Sequence, residues 1–346
     1  MVENIVFYNP RNSSQFKIYG FYWLEENNAY VRLPIKSLPT IKNINEGVAY
    51  HAYDTAGGQI HFVTNSTQLL IKVKLLKSNG ITWMSDVGQG GFDCYLGDDY
   101  HNLQFLSVSK FLKNNTEYEA TLYKDLSEKE RLVVLNFPLY NGVVELEIGL
   151  DKNSILKQPP NLMNEKIVIY GTSIVQGGCV NRPGLAYSNI LSRLLSCETI
   201  NLGFSGSAYG EEELAYLVSS IENVKLFILD YEANASPNNT YQSSLENFIK
   251  IIRSRHPNSY ILVCSQIIFN RELFCSKTKD LRMSNLQFQD SLIKTMQLTD
   301  NKVLFLDCSN IFPKRYSEYT VDGIHPNDIG MEKLAMAIYQ KIRQYF

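Results

Sequence analysis

Hydrophobic positions along the chain follow two rhythms, and the change falls near residue 150. Before it, short runs alternate apolar with polar residues or gather β-branched ones at 16–22, 59–64, 69–76, 103–108, 117–123, 132–137 and 143–148, with turn residues between them. Helical periodicity is almost missing there. About nine or ten strands of this length predict an all-β domain over 1–150, a jelly-roll-like sandwich with a barrel as the other closed solution. Residues 151–163, polar and broken by Pro159-Pro160, read as a linker. In 164–346 apolar strands at 166–170, 199–203, 225–230, 260–265 and 303–307 alternate with amphipathic stretches at 186–195, 211–220, 245–255, 286–296 and 330–345. That alternation predicts an α/β domain, a parallel sheet with helices on both faces, because parallel strands need crossover connections. Ligands of such sheets bind where the strands end.

Composition narrows the partners. With 45% apolar and 20% charged residues the chain of 346 reads as ordered and globular. A net charge of -2 provides no field for nucleic acid or an anionic membrane. No run approaches the ~20 apolar residues of a membrane span, and Met1 to Ile5 lack the basic start of a signal peptide. The six cysteines form no Cys-x-x-Cys pair, and no His spacing suits zinc. A reduced, cytoplasmic protein is expected, although a secreted chain freed of its leader would read the same. Oligomeric state is not legible.

Candidate chemistry clusters at the predicted strand ends. The strand Ile167-Val168-Ile169-Tyr170 runs into Gly171-Thr172-Ser173, which lifts Ser173 to the carboxyl edge of the sheet as a nucleophile; alone, such a Ser is as well explained as a helix cap. The next strand ends Asn201-Leu202-Gly203-Phe204-Ser205-Gly206, where the Gly203 backbone N–H is a candidate oxyanion donor, or merely part of a turn. The third emerges into a loop with Asn234, whose amide is a further donor. Asp322-Gly323-Ile324-His325 places an acid three residues before a histidine, so that Asp322 can accept from Nδ1 and leave Nε2 of His325 free to take the serine proton. His256, beside Pro257 at a helix end, is explained by the helix dipole. Each block has a bland reading, but their coincidence at successive strand ends points to acyl transfer.

In this order the blocks resemble the SGNH (GDSL-like) hydrolase superfamily over roughly residues 164 to 346. The resemblance implies a flavodoxin-like three-layer αβα domain. It also implies a Ser173, His325, Asp322 triad, an oxyanion hole of the Ser173 and Gly203 amides with Asn234, and no cofactor or metal. The Arg182-Pro183-Gly184 turn and the upstream Gly91-Phe92-Asp93-Cys94-Tyr95 are similar to a group in which a Gly-x-Asp-x-Tyr β domain precedes the hydrolase. Two positions depart from the pattern: Thr172 replaces an Asp, and Glu232-Ala233-Asn234 replaces Gly-x-Asn. The expected activity is a serine esterase removing a short acyl group, such as acetyl, from a glycan or glycosylated small molecule. Arg182, Trp83 and Tyr95, with Tyr100, are candidates for holding the sugar, against core packing for the aromatics. An O-acyltransferase on the same triad and a noncatalytic carbohydrate-binding protein are the alternatives.

Overall fold

The structure is a computed structural model that describes residues 5–313 and 316–346. The alternating runs of the first half become Ile5–Tyr8 (β1), Lys17–Tyr19 (β2), Gln59–Thr64 (β3), Leu69–Leu75 (β4), Asp93–Gly97 (β5), Gln104–Val108 (β6), Glu117–Tyr123 (β7), Arg131–Asn136 (β8), Val143–Asp151 (β9) and Leu156–Lys157 (β10). One antiparallel sheet runs β1-β9-β4-β7 and the other β10-β3-β8-β5-β6, with β2 also paired to β3. Alternate residues point inward, as the strand period requires: Ile60, Phe62, Ile71, Val73, Cys94, Val133, Leu135, Leu146 and Ile148 pack between the sheets. The result is a sandwich, not a barrel.

Short helices, which the strand pattern does not announce, lie between these strands. Leu24–Asn27, Leu38–Ile44, Glu46–His51 and Asp86–Gly90 are helical. Helices of one or two turns carry too few residues to register a 3.6 period and are stabilised by packing. Trp23, Leu33, Leu38, Ile41 and Val48 leave the sandwich and join Val168, Leu202 and Phe227 in one apolar cluster. The segment therefore covers one face of the sheet that follows. The expected linker is packed as well: β10 adds to β3, and Pro160 O accepts from Tyr100 Oη at 2.9 Å.

The second half forms a parallel sheet of Met163–Gly171 (β11), Cys197–Gly203 (β12), Val224–Asp230 (β13), Tyr260–Cys264 (β14) and Val303–Leu306 (β15), in the order β12-β11-β13-β14-β15. This is the flavodoxin-like order. Ile167 and Ile169 pack with helices Tyr187–Leu195 and Asp328–Ile342, whereas Val168 and Tyr170 face Glu212–Ser219 and Tyr241–Arg255, giving three layers. Because strand order reverses at β11, the loops after β12, β11 and β13 meet in one crevice. No helix among the described residues is long and apolar enough to cross a membrane.

Candidate active site

Ser173 opens the short helix Ser173–Gln176 directly after β11, and the cap is Thr172, whose Oγ1 accepts the Ile174 N–H at 3.2 Å. The departure at Thr172 thus keeps a local hydrogen bond, and Ser173 is released from the capping role. Its Oγ lies 2.7 Å from Nε2 of His325, and His325 Nδ1 lies 2.7 Å from Asp322 Oδ2. Asp322 also shapes its own turn: Oδ1 accepts the N–H groups of Ile324 at 3.0 Å and His325 at 2.8 Å, with Gly323 at φ +89 between them. Burial raises the Asp322 carboxyl, but the donors from His325 and Ile324 outweigh it and hold the group below its ordinary value. A carboxylate there fixes the ring so that Nδ1 carries the proton and Nε2 accepts from the serine. Asn327 caps the following helix through Gly330 N–H at 3.0 Å, which fixes His325 two residues before a helix entrance.

The oxyanion expectation needs a correction at Gly203. Its N–H donates to Asn201 Oδ1 at 2.9 Å, and a Cβ there would lie 2.3 Å from Gln176 N, so it serves close packing of β12 against the short helix that Ser173 opens. The neighbouring free amide is Gly206, for whose N–H no acceptor is found among the described residues. Gly206 sits at φ +67 with open space around it, in a turn closed by Ser207 N–H to Phe204 O at 3.1 Å. Ser173 N–H, at the first position of its helix, likewise has no acceptor. Asn234 Nδ2 donates to Phe204 O at 3.2 Å, the carbonyl that also closes the Gly206 turn, and keeps a second hydrogen free.

The other departure, Glu232, lies two residues before that Asn in the same short helix. It is 1% exposed, and its Oε2 accepts from Gln266 N–H at 2.7 Å and Gln289 Nε2 at 2.6 Å. Burial, against the donors from Gln266 and Gln289, pushes its carboxyl up to about 7. Glu232 Oε1 and Gln289 Oε1 have no donor among the described residues, a deficit that a proton on the carboxyl would supply.

The back of the Gly206 loop is gripped by the first half of the chain. Arg32, 1% exposed, donates to Asn201 O at 3.1 Å and Gly203 O at 2.6 Å, and to Asp54 O and His51 O. The Asp54 carboxylate accepts from Gln176 Nε2 at 3.0 Å, and Gln176 Oε1 accepts Ser205 N–H at 2.9 Å. Asn45 Nδ2 donates to Ser207 O at 2.6 Å. None of these contacts was legible in the motifs.

Two of the expected sugar-binding residues are committed elsewhere. Arg182 Nη1 donates to Asp93 Oδ2 at 2.9 Å and lies 2.6 Å from Tyr95 Oη, and its guanidinium stacks 3.7 Å from the Phe105 ring centroid. Asp93 and Tyr95, two apart on β5, face the hydrolase half together, while Phe92 and Cys94 face the sandwich core. Gly184 completes the clamp: its N–H donates to Asp93 Oδ2 at 2.7 Å, and a Cβ would meet that oxygen at 2.6 Å. The Asp-x-Tyr and Arg-Pro-Gly motifs are thus partners in one interface. Tyr100 is buried against His61. Trp83 is 56% exposed, on a loop docked through Ser85 Oγ to Asn181 O.

A flavodoxin-like domain gathers Ser173, His325 and Asp322 at its carboxyl edge, and comparison with known proteins gives the family. Residues 164–343 match the GDSL-like Lipase/Acylhydrolase family, and residues 5–156 match the GxDLY family, the N-terminus of SGNH-hydrolase-type esterases. The chain belongs to the GDSL-like lipase/acylhydrolase family and is an ester-bond hydrolase of the SGNH type. A crystal structure of a GDSL-like lipase from Bacteroides ovatus is 27% identical, with TM-score 0.88 over 99% of this chain and 98% of that one. The salicylyl-acyltransferase SsfX3 of a tetracycline biosynthetic pathway (18%, TM-score 0.79) and a family two carbohydrate esterase from Cellvibrio japonicus (14%, TM-score 0.62) share the fold over the same 99% and 98%. No curated protein matches the chain.

Proposed function

We propose that the protein is a serine esterase that removes a short acyl group, acetyl foremost, from a carbohydrate or glycosylated small molecule. The observation that carries the reading is the continuous chain from Ser173 Oγ through the His325 ring to Asp322, with 2.7 Å at each contact. His325 Nε2 takes the hydroxyl proton as Ser173 attacks the ester carbonyl. The developing oxyanion is met by the N–H groups of Ser173 and Gly206 and by Asn234 Nδ2. His325 then protonates the leaving alcohol, and water resolves the acyl-enzyme by the same route.

The acceptor side is assigned to sugar because the two-domain fold is that of a family two carbohydrate esterase and because exposed Trp83 offers a ring face. The test is hydrolysis of p-nitrophenyl acetate, butyrate and octanoate by wild type and Ser173→Ala, with fluorophosphonate labelling of both. Acetate-selective turnover and labelling that vanish in the variant support the reading. A folded wild type that neither turns over nor labels rejects it, and acylated acceptor in place of free acid moves the reaction to acyl transfer.

A further inference from the structure

Sequence spacing holds no zinc motif, yet folding carries a cysteine to the proposed base. The Cys179 Sγ, an Asp322 carboxylate oxygen and a His325 ring nitrogen lie within 4.8 Å of one another. Cys179 is 6% exposed. Its thiol has no hydrogen-bond partner among the described residues, whereas the thiols of Cys94, Cys197 and Cys308 donate to carbonyls. The backbone fixes it on both sides: Gly178 N–H donates to Ser173 O at 2.8 Å, and Asn181 N–H to Asp328 Oδ1 at 2.9 Å. Between them Cys179 itself is left-handed, at φ +72, a conformation unusual for a residue with a side chain.

We infer that Cys179, Asp322 and His325 form a binding site for a borderline-soft divalent cation, Zn²⁺ or Cd²⁺, and that its occupation switches the esterase off. The inference rests on the role proposed above for His325. Thiolate, imidazole and carboxylate with one water are a tetrahedral zinc set. Metal–ligand bonds of about 2.0 to 2.3 Å place donor atoms about 3.3 to 3.7 Å apart, so a pair at the 4.8 Å limit closes by about 1.1 to 1.5 Å, shared between its two side chains.

His325 Nε2 stays with Ser173, and Nδ1, 2.7 Å from Asp322 Oδ2, exchanges that hydrogen bond for the metal as the carboxylate becomes its fellow ligand. On binding, the Cys179 proton passes to solvent and the Nδ1 proton is relocated to Nε2 through water, so one proton is released per metal ion. An imidazole protonated at Nε2 only donates to Ser173 Oγ. The serine then keeps its proton, and attack stops without any contact between metal and nucleophile.

The experiment uses the full chain as wild type, Cys179→Ser and Cys179→Gly, the last being compatible with the left-handed backbone. Micromolar Zn²⁺ should abolish p-nitrophenyl acetate hydrolysis by wild type, with recovery on adding EDTA. Both variants should keep their metal-free rate and need at least ~100-fold more Zn²⁺, since even outer partners of a metal ligand are worth 10- to 100-fold in affinity. Independently of turnover, Co²⁺ added to Ser173→Ala should give a near-ultraviolet thiolate charge-transfer band that Ser173→Ala/Cys179→Ser lacks. An inactive wild type would end the esterase reading while the cobalt band still decides the site. Equal Zn²⁺ sensitivity of the cysteine variants, or no cobalt band at saturation, overturns the inference.

Discussion

Replacing Arg182 with Ala separates an interface role from a substrate role for this side chain. Asp93 is 0% exposed, and the substitution removes its cationic partner while leaving two donors, Asn136 Nδ2 at 2.6 Å and Gly184 N–H at 2.7 Å. Breaking a buried pair costs about 3 to 5 kcal/mol when one charge is stranded. The two remaining donors place this case at the lower end, about 3 kcal/mol. An unfolding entropy of about 2.1 cal/mol/K per residue over 346 residues turns that into a Tm drop of about 4 °C. The assay is thermal unfolding of wild type, Arg182→Ala, Asp93→Asn and the double variant, with kcat and KM on p-nitrophenyl acetate for each. The double variant should recover part of the loss, because no unpaired charge remains. A Tm within about 1 °C of wild type together with a raised KM would refute the clamp and return Arg182 to the substrate.

Asn234→Ala should lower kcat by about 10² to 10³ with little change in KM, as loss of an oxyanion donor does; equal turnover rejects the role. Gly203→Ala should fail to fold or lose stability, since its Cβ would sit 2.3 Å from Gln176 N, whereas Gly206→Ala, with open space around it, should fold with a backbone penalty of about 1 to 2 kcal/mol. Equal melting temperatures for the two variants would contradict the crowding. For Glu232, burial favours the protonated form in the fold, so its contribution is full below pH 4.5 and is lost as pH rises through about 7. Glu232→Gln should therefore gain about 3 kcal/mol on wild type across that window at 1.36 kcal/mol per pH unit, read by urea unfolding as a function of pH; a pH-independent difference excludes a neutral Glu232.

The parallel sheet was legible because its strands are buried on both faces and read as unbroken apolar runs such as Ile167 to Tyr170. The proximity of Asp322 and His325 was legible because only two residues lie between them, and one Asx-type turn closes that distance. The choice between Gly203 and Gly206 was not. It depends on Asn201 folding back onto an amide two residues ahead, a side-chain event with no signature in residue spacing. The contacts of Arg182 were hidden for a related reason, since Asp93 and Tyr95 lie 89 and 87 residues away in the chain. The short helices Leu38–Ile44 and Glu46–His51 escaped because their apolar residues answer to a distant sheet and not to a local period.

The grip of Arg32, Asp54 and Asn45 on the Gly206 loop also bears on modularity. The hydrolase half is no cassette that can be moved between proteins intact. Cut away from the first half, it would expose Asn201 O and Gly203 O without their guanidinium, leave the Gln176 amide without Asp54, and release Ser207 O from Asn45. The two halves form a single inheritable unit, in which a change in residues 30 to 58 is a change at the reaction centre.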